Sequence, residues 1–395
     1  MPLTITTKKT KTATDNSFTR HTLKILPVDN SSHRKIFLDV PRRIYTSDPL
    51  WIAPLEIQVE AVFDPQKNPF FSKGEAQRWI LLDDSNKPIG RIAAFYRSDK
   101  TSLGAVPTGG IGFFECVDDQ ASAALLFSVA TSWLAEKGMK AVEAPINFGE
   151  NDSFWGLLIE GFESPSFGMN YNPPYYQELF EGESFVKSYD QLTNIINIRK
   201  PFPERFYKIA NWVIRKKGYS FEQLEIARFD KYAADFMAVY NEGWKDFDHF
   251  VPLSKETVVE TFRQMKPILD PNLILFAYVN GEPVSFVLVI PDANIWFKAL
   301  KGKMNLLGKL RFLYNRSTIK ANRLRAIVMG TKPAYQNHGI ESALFIKLGE
   351  YVLPLDQYDE LELSWVGDFN EKMINLHMAM EPYKSRKHRT YLKNI

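Results

Sequence analysis

The chain has 395 residues, more than one hydrophobic core ordinarily holds, so two domains of similar size are expected. Hydrophobic residues make up 45% and charged residues 24%, a soluble globular composition, and the net charge of +3 is too small to argue for nucleic acid. A single cysteine, Cys116, excludes a disulfide framework and a multi-cysteine zinc site, and the six histidines have no zinc-ligand spacing.

Residues 1–20 are rich in Thr and Lys and hold no apolar core, so they read as a flexible tail and not as a secretory signal. No apolar run reaches membrane-spanning length, and a cytoplasmic location is expected. His21 to Val28 alternates as a first strand. Ser31 or Ser32 is placed to cap a helix through Ile36, Val40 and Ile44 that Asp48-Pro49 ends. Glu75 to Leu82 and Ile89 to Arg97 read as strands joined by a turn. Gly110 to Val117 is a third strand, and Cys116 within it reads as a small packing residue. Asp118 caps a helix from Ala121 to Lys137, followed by a strand from Ala141 to Ile146. Asn172-Pro173-Pro174-Tyr175-Tyr176 opens a short helix, and Phe185 to Ile198 is strand-rich.

Phe202 to Lys217 is an amphipathic helix with Phe206, Ile209 and Val213 on one side, expected to connect two halves. The order of elements then repeats. Phe221 to Arg228 is a strand, and Tyr232 to Trp244 and Ser254 to Met265 are helices. Asn272 to Tyr278 and Val284 to Ile290 form a hairpin through Asn280-Gly281. Between Lys298 and Arg325 lie nine basic residues and no acid, interleaved with leucines. Such a segment suits an anionic membrane surface or a phosphorylated ligand, or is a solvated helix with its charges outward.

Arg325 to Leu344 reads as a strand, Ala326 to Met329, a turn punctuated by Gly330 and Pro333, and a helix opening near Gly339. The first amides of such a helix have no internal partner and carry the positive end of its dipole, which suits a phosphate. Glu360 to Val366 is the next strand, then a helix from Asn370 and a last strand near Arg389 to Leu392.

Gln336-Asn337-His338-Gly339-Ile340 resembles the Gln/Arg-x-x-Gly-x-Gly/Ala signature of the GNAT superfamily of N-acetyltransferases, with Glu341 in place of the final Gly or Ala. Both halves follow the element order of that fold. The resemblance therefore implies an α/β mixed-sheet architecture of two tandem GNAT-like domains. Residues 21–200 would form a degenerate first domain, with Asp118-Asp119 where a glycine loop would stand, and 201–217 the connector. Residues 218–395 would form the acyl-CoA domain, with the basic insertion at 293–324. The layout also resembles a little-characterised group of bacterial GNAT-like proteins. That likeness is carried by Asp48-Pro49-Leu50-Trp51, Asn68-Pro69-Phe70-Phe71, Gly112-Phe113-Phe114-Glu115-Cys116, Asn172 to Tyr176 and Leu363-Ser364-Trp365.

The resemblance implies acetyl-CoA as the cofactor and acetyl transfer to the primary amine of a small molecule or peptide. The loop from Gln336 to Glu341 would hold the pyrophosphate, and the backbone of Met329 and Thr331 the pantetheine. Asn370, also a natural helix cap, would contact the same arm. His377 stands where the family has the tyrosine that protonates the thiolate; Tyr383 is a substitute acid and Tyr391 a more distant one. Glu362 and Asp368 are candidate bases, and Glu242, Trp244, Phe247, His249 and Phe250 a candidate acceptor wall. Two other readings stay open. Glu341 and the missing tyrosine favour a non-catalytic binding protein. An aminoacyl-tRNA-dependent transferase ranks last on the near-neutral charge, and no nucleic-acid partner is expected.

Overall fold

A computed structural model describes residues 3–7, 21–98, 106–151, 153–245 and 252–395. The chain divides into two compact units. The first comprises residues 1–191, 297–313 and 387–395; the second comprises 192–296 and 314–386. The insertion and the last strand are thus divided between the units, where the sequence assigned both to the second half.

In the first unit, β1 (Leu3–Thr7) pairs antiparallel with β2 (His21–Pro27), so part of the expected tail is a strand. Helix α1 (Ser31–Ile44) is capped by Asn30, one residue before the expected serines, whose Oδ1 accepts from the His33 amide at 2.9 Å. After α2 (Glu56–Val62) come the hairpin strands β3 (Gly74–Leu82) and β4 (Pro88–Arg97), then β5 (Thr108–Cys116), α3 (Gln120–Glu136) and β6 (Ala141–Ala144). Strands β3 to β5 are buried along most of their length because helices cover them, which is why they read as continuous apolar runs. Leu81, Ile92, Leu126, Phe127 and Phe180 belong to one core cluster. β7 (Leu157–Glu160), α4 (Tyr176–Gly182) and β8 (Val186–Asn197) come next, and β8 passes into the second unit at Leu192.

β5 is bulged. Arg91 of β4 faces Glu115, but Ala93 faces Gly112, so β5 carries one extra residue, and Phe113 takes a φ of 52°. Gly112 has no room for a side chain: a Cβ would lie 1.9 Å from the Ile146 carbonyl oxygen. β5 runs parallel to β6 over Thr108–Gly110 and Ala141–Glu143.

The second unit holds α5 (Glu204–Arg215), β9 (Tyr219–Gln223), α6 (Phe229–Trp244), α7 (Lys255–Met265), β10 (Ile274–Val279) and β11 (Glu282–Pro291). The β10–β11 hairpin turns at Asn280 and Gly281, with φ of 50° and 84°, as the Asn-Gly pair predicts. Along the chain then come α8 (Asn294–Phe297), α9 (Leu306–Thr318), β12 (Arg323–Thr331), α10 (Ile340–Val352), β13 (Glu360–Glu362), the two-residue β14 (Val366–Gly367), α11 (Glu371–Met378) and β15 (Lys384–Asn394), of which residues 297–313 and 387–395 belong to the first unit. α5 is more than a connector: it packs along α10, with Phe206, Ala210 and Val213 buried.

The halves exchange their last strands. Ile195–Asn197 of β8 pair with Glu362–Glu360 in the second unit. Tyr391–Asn394 of β15 pair with Ala144–Ala141 in the first. Among the described residues, no helix is long and apolar enough to cross a membrane.

Candidate functional site

The site is built on β12. This strand lies antiparallel to β11 from Ser285↔Thr331 to Pro291↔Leu324, with one irregularity: Leu288 faces Val328, whereas Val289 faces Ala326. Ile327 is therefore an extra residue that kinks the strand. On its other edge β12 pairs in parallel with β13 over three residues only, Arg323↔Glu360 to Arg325↔Glu362. Beyond that point the two strands part. The Leu363 N–H turns to the Asn194 carbonyl at 2.9 Å, joining β8 and leaving β12. Ile327, Val328 and Met329 are half-buried between the buried Leu324–Ala326 and Gly330–Thr331, so the parted edge is open. An unpaired strand edge can hydrogen-bond an extended amide-bearing chain, as a pantetheine arm is.

The end of β12 is fixed from both sides. The Ser285 hydroxyl donates to the Gly330 carbonyl at 2.9 Å and lies 2.8 Å from the Thr331 hydroxyl. Gln336 Nε2 donates to the Thr331 carbonyl at 3.3 Å, closing the loop after the strand. Asn337 and Gly339 take left-handed conformations, with φ of 63° and 78°. Gly339 then caps α10 without a side-chain hydrogen bond. As a result, the N–H groups of Asn337, His338, Gly339, Ile340, Glu341 and Ser342 meet no acceptor among the described residues. Six successive free amides at the positive end of a helix fit a pyrophosphate. Glu341 opposes this: its carboxylate stands in the first turn of α10 with no cation paired to it among the described residues.

Gly339 is required for two reasons. Its φ strains any L side chain, and a Cβ there would meet Ile209 Cγ2 of α5 at 2.4 Å. The sequence gives the glycine the task of admitting a ligand; in the structure the space it frees is filled by α5. That helix also exposes Trp212, with Lys216 Nζ 4.8 Å above its ring, beside the turn that packs on the loop. A tryptophan three residues from Ile209 is the sequence signal for this second role of α5, and the amphipathic pattern of a connector hides it.

The equivalent position in the first unit is closed. Asp119 caps α3 with its own carboxylate, 2.8 Å from the Ser122 N–H and 2.7 Å from its hydroxyl. That carboxylate occupies the helix end where an anion would otherwise sit.

The titratable candidates divide by depth. Glu362 is fully buried at the point where β12 and β13 part. Arg386 donates to its Oε2, and Arg325 Nε lies 3.7 Å from its Oε1. Such a carboxylate compensates two guanidinium groups, a structural task. His377 is buried on α11, with Asn194 Nδ2 3.2 Å from its Nδ1. Burial pulls its pKa down to about 4, so it is neutral near pH 7. Tyr383 donates its hydroxyl to Glu360. Glu360 also accepts from Arg323 Nε at 2.8 Å. Burial pushes the Glu360 carboxyl up, but the bonds from Tyr383 and Arg323 outweigh it and hold it below the usual range. Glu360 is level with Arg323, six residues before Met329, so Tyr383 is tied about 20 Å along β12 from that residue. Tyr391 belongs to the first unit, where its hydroxyl donates to Glu181 at 3.0 Å.

Asp368 is exposed in the turn after β14. Asn370 caps α11, its Oδ1 accepting from the Met373 N–H at 3.3 Å. The Trp244 indole packs on β12, where a Cβ at Gly330 would lie 2.5 Å from its ring. Glu242 lies 3.4 Å from Lys332 Nζ. Phe247, His249 and Phe250 lie outside the described residues. In the first unit, Cys116 is buried, and burial first and nearby carboxylates second push its thiol up, which suits packing. No group of His, Cys, Asp and Glu among the described residues is arranged to hold a metal ion.

These observations fix three expected outcomes. Glu362→Gln removes the buried carboxylate that Arg386 and Arg325 share and lowers stability by about 3–5 kcal/mol, measured by denaturant unfolding; a loss of activity with unchanged stability would assign it a catalytic task instead. Glu341→Ala removes the carboxylate from the first turn of α10, and coenzyme A, as a pyrophosphate-bearing probe, should bind about two- to tenfold more tightly in a calorimetric titration. The third concerns His377, which lies at about 4 in the folded chain and at about 6.5 when unfolded. As pH falls below the unfolded value, only the unfolded chain takes up the proton, so stability falls until pH 4. Between pH 7 and 5 this group removes about 2 kcal/mol. Unfolding at the two pH values, beside His377→Gln, should show the drop shrink by that amount.

No family model matches the chain. Over 385 residues it is 26% identical to a bacterial ceramide synthase from Caulobacter vibrioides, covering 94% of this chain and 98% of that one. It is also 26% identical over 381 residues to the protein YghO of Escherichia coli, covering 93% and 94%. Among solved structures, it superposes on a tandem GNAT protein from the clavulanic acid biosynthesis pathway with a TM-score of 0.56 at 12% identity, over 94% of this chain and 98% of that one. A GCN5-related N-acetyltransferase from Sphaerobacter thermophilus matches with a TM-score of 0.50 at 10% identity, over 94% and 95%. The parted strands β12 and β13, the glycine-capped helix after β12, and these likenesses agree: the chain has the fold of the tandem GNAT proteins.

Proposed function

We propose that the protein is an N-acyltransferase that moves an acyl group from coenzyme A to the amine of a long-chain acceptor. One observation carries the reading: an open edge on β12, beginning where β13 leaves it, is followed across the turn at Lys332 to Gln336 by six unpaired amides at the mouth of α10. An acyl-CoA has the matching parts, an amide-bearing arm and a pyrophosphate. The acceptor class draws on the full-length likeness to a ceramide synthase. A ceramide is the amide of a long-chain amino alcohol with a fatty acid. Acetyl-CoA is a short donor of the same chemical class.

The thioester supplies an activated carbonyl carbon. The amine nitrogen bonds to it, the carbon–sulfur bond breaks, the amine loses a proton and the sulfur gains one. The β12 edge from Ala326 to Met329 orients the donor, and a backbone N–H there meets the oxygen as charge develops on it. His377 is neutral, and its Nδ1 accepts from Asn194, which leaves Nε2–H to hydrogen-bond the leaving thiolate while the sulfur takes its proton from water. Asp368, exposed after β14, takes the amine proton, directly or through water.

The test supplies purified protein with acetyl-CoA or palmitoyl-CoA and either sphinganine or a short primary amine. Thiol release and N-acylated product are tracked by mass spectrometry. Product should require both substrates and favour the long chains. His338→Glu places a carboxylate beside the free amides at an exposed position, and should raise KM for the donor about tenfold while kcat changes less. Absence of thiol release with every pair would overturn the proposal.

A further inference from the structure

The basic insertion makes a surface that the acyl-transfer reading does not use. Helix α9 (Leu306–Thr318) buries only Gly308, Phe312 and Asn315. These positions recur at helical spacing and form its inward side. Phe312 stacks on Phe297 at 5.1 Å, and Asn315 Nδ2 donates to the Trp296 carbonyl at 3.0 Å. At about 100° per residue, Leu306, Leu310, Leu313 and Tyr314 point the opposite way, with Leu307 beside them. Their exposures are 74% for Leu306 and Leu307, 57% for Leu310, 58% for Leu313 and 67% for Tyr314. An amphipathic helix normally turns such a stripe inward; this one turns it to solvent.

The flanks of the stripe are cationic. Lys309 and Arg316 lie on one side and Arg311 on the other. Lys301 and Lys303 precede the helix. None of these five pairs with a carboxylate among the described residues. From Lys298 to Lys320 the sequence has seven basic residues and no acidic one. The turn that presents them is built firmly. Lys301 and Gly302 both have positive φ, at 50° and 82°. The Lys301 carbonyl accepts from Arg42 Nη2 at 2.9 Å, and the Gly302 carbonyl from the Glu56 N–H at 2.8 Å. Lys301, Lys303 and Arg311 line a recess of about 450 Å³ together with Arg42, Ala299 and Leu300. Arg42 is itself paired with Asp39 and Glu56, so the free charge of the recess comes from the other three.

We propose that α9 is an interfacial helix that lies on an anionic lipid bilayer. Its leucines and Tyr314 enter the acyl boundary, while Lys301, Lys303, Lys309, Arg311 and Arg316 meet the phosphates. The charge complementarity chooses the occupant. A protein groove would bury the leucines but leave five unpaired cations to find carboxylates, whereas an anionic bilayer supplies apolar depth and a sheet of negative charge together. A thirteen-residue helix, about 20 Å long, is too short to span the bilayer and suits its plane.

Co-sedimentation of the full-length chain with vesicles tests this, using phosphatidylcholine alone and phosphatidylcholine mixed with phosphatidylglycerol. The anionic vesicles should bind at least about tenfold more protein, and less as salt rises. Leu306→Ser with Leu310→Ser and Leu313→Ser changes only exposed positions and should reduce binding by about tenfold or more, with the circular dichroism spectrum unchanged. Lys309→Ala with Arg316→Ala should cost about fivefold per charge. Equal or no binding to both vesicle types would overturn the proposal. So would a concentration-dependent dimer, seen by analytical ultracentrifugation, that the leucine variant dissolves. The assay needs no acyl donor, so its failure is separate from any failure of acyl transfer.

Discussion

The candidate site depends on β12 losing its parallel partner. A central strand normally has both edges satisfied, and an open one is a liability unless something covers it. Here the pairing with β13 ends after three residues, and the bulge at Ile327 bends β12 just past the fork. Glu362 stands at the last paired position, buried with Arg325 and Arg386. An ion cluster of this kind adds little net stability, but removing one member is costly, so it specifies where the strands stop pairing. The open edge, the glycine-capped helix after it and the helix α11 bearing His377 all take their places from that fork.

The two halves show one scaffold used in two ways. Both fourth strands are bulged, at Phe113 in β5 and at Ile327 in β12, and both pair with the fifth strand over three residues. The helix cap beyond the strand separates them. After β12, Gly339 leaves the helix end bare. After β5, Asp119 fills it with a carboxylate. One side chain at a cap position is enough to turn an anion-binding end into an ordinary one. In both halves the glycines solve packing problems as well: Gly112 lets the Ile146 carbonyl come close, and Gly339 makes room for Ile209.

Much of this is legible in the residues. The Asn280-Gly281 turn and the apolar runs of the central strands are local signals, and the structure has them where the periodicity and the turn chemistry put them, whereas two expected caps move by one residue, to Asn30 for α1 and from Asp118 to Asp119 for α3. Depth is not legible. Glu362 alternates with leucines and reads equally as a cleft or solvent residue; only its pairing with Arg386, 24 residues later, shows it buried. His377 reads as a helix-face histidine, and its burial comes from tertiary packing that no local pattern reports. The exchange of β8 and β15 is hidden for the same reason, since strand partners distant in sequence leave no periodic trace. The insertion is conspicuous in composition, but the outward aim of its leucines needs the helix in place.

The most direct measurement is hydrogen–deuterium exchange of the chain with and without a saturating acyl-CoA. Bound ligand should slow exchange at the free amides of Asn337 to Ser342 and along Ala326 to Met329, with α3 unchanged because Asp119 already closes it. Protection confined to the first unit, or none at either stretch while the ligand is bound, would contradict the assignment of this site.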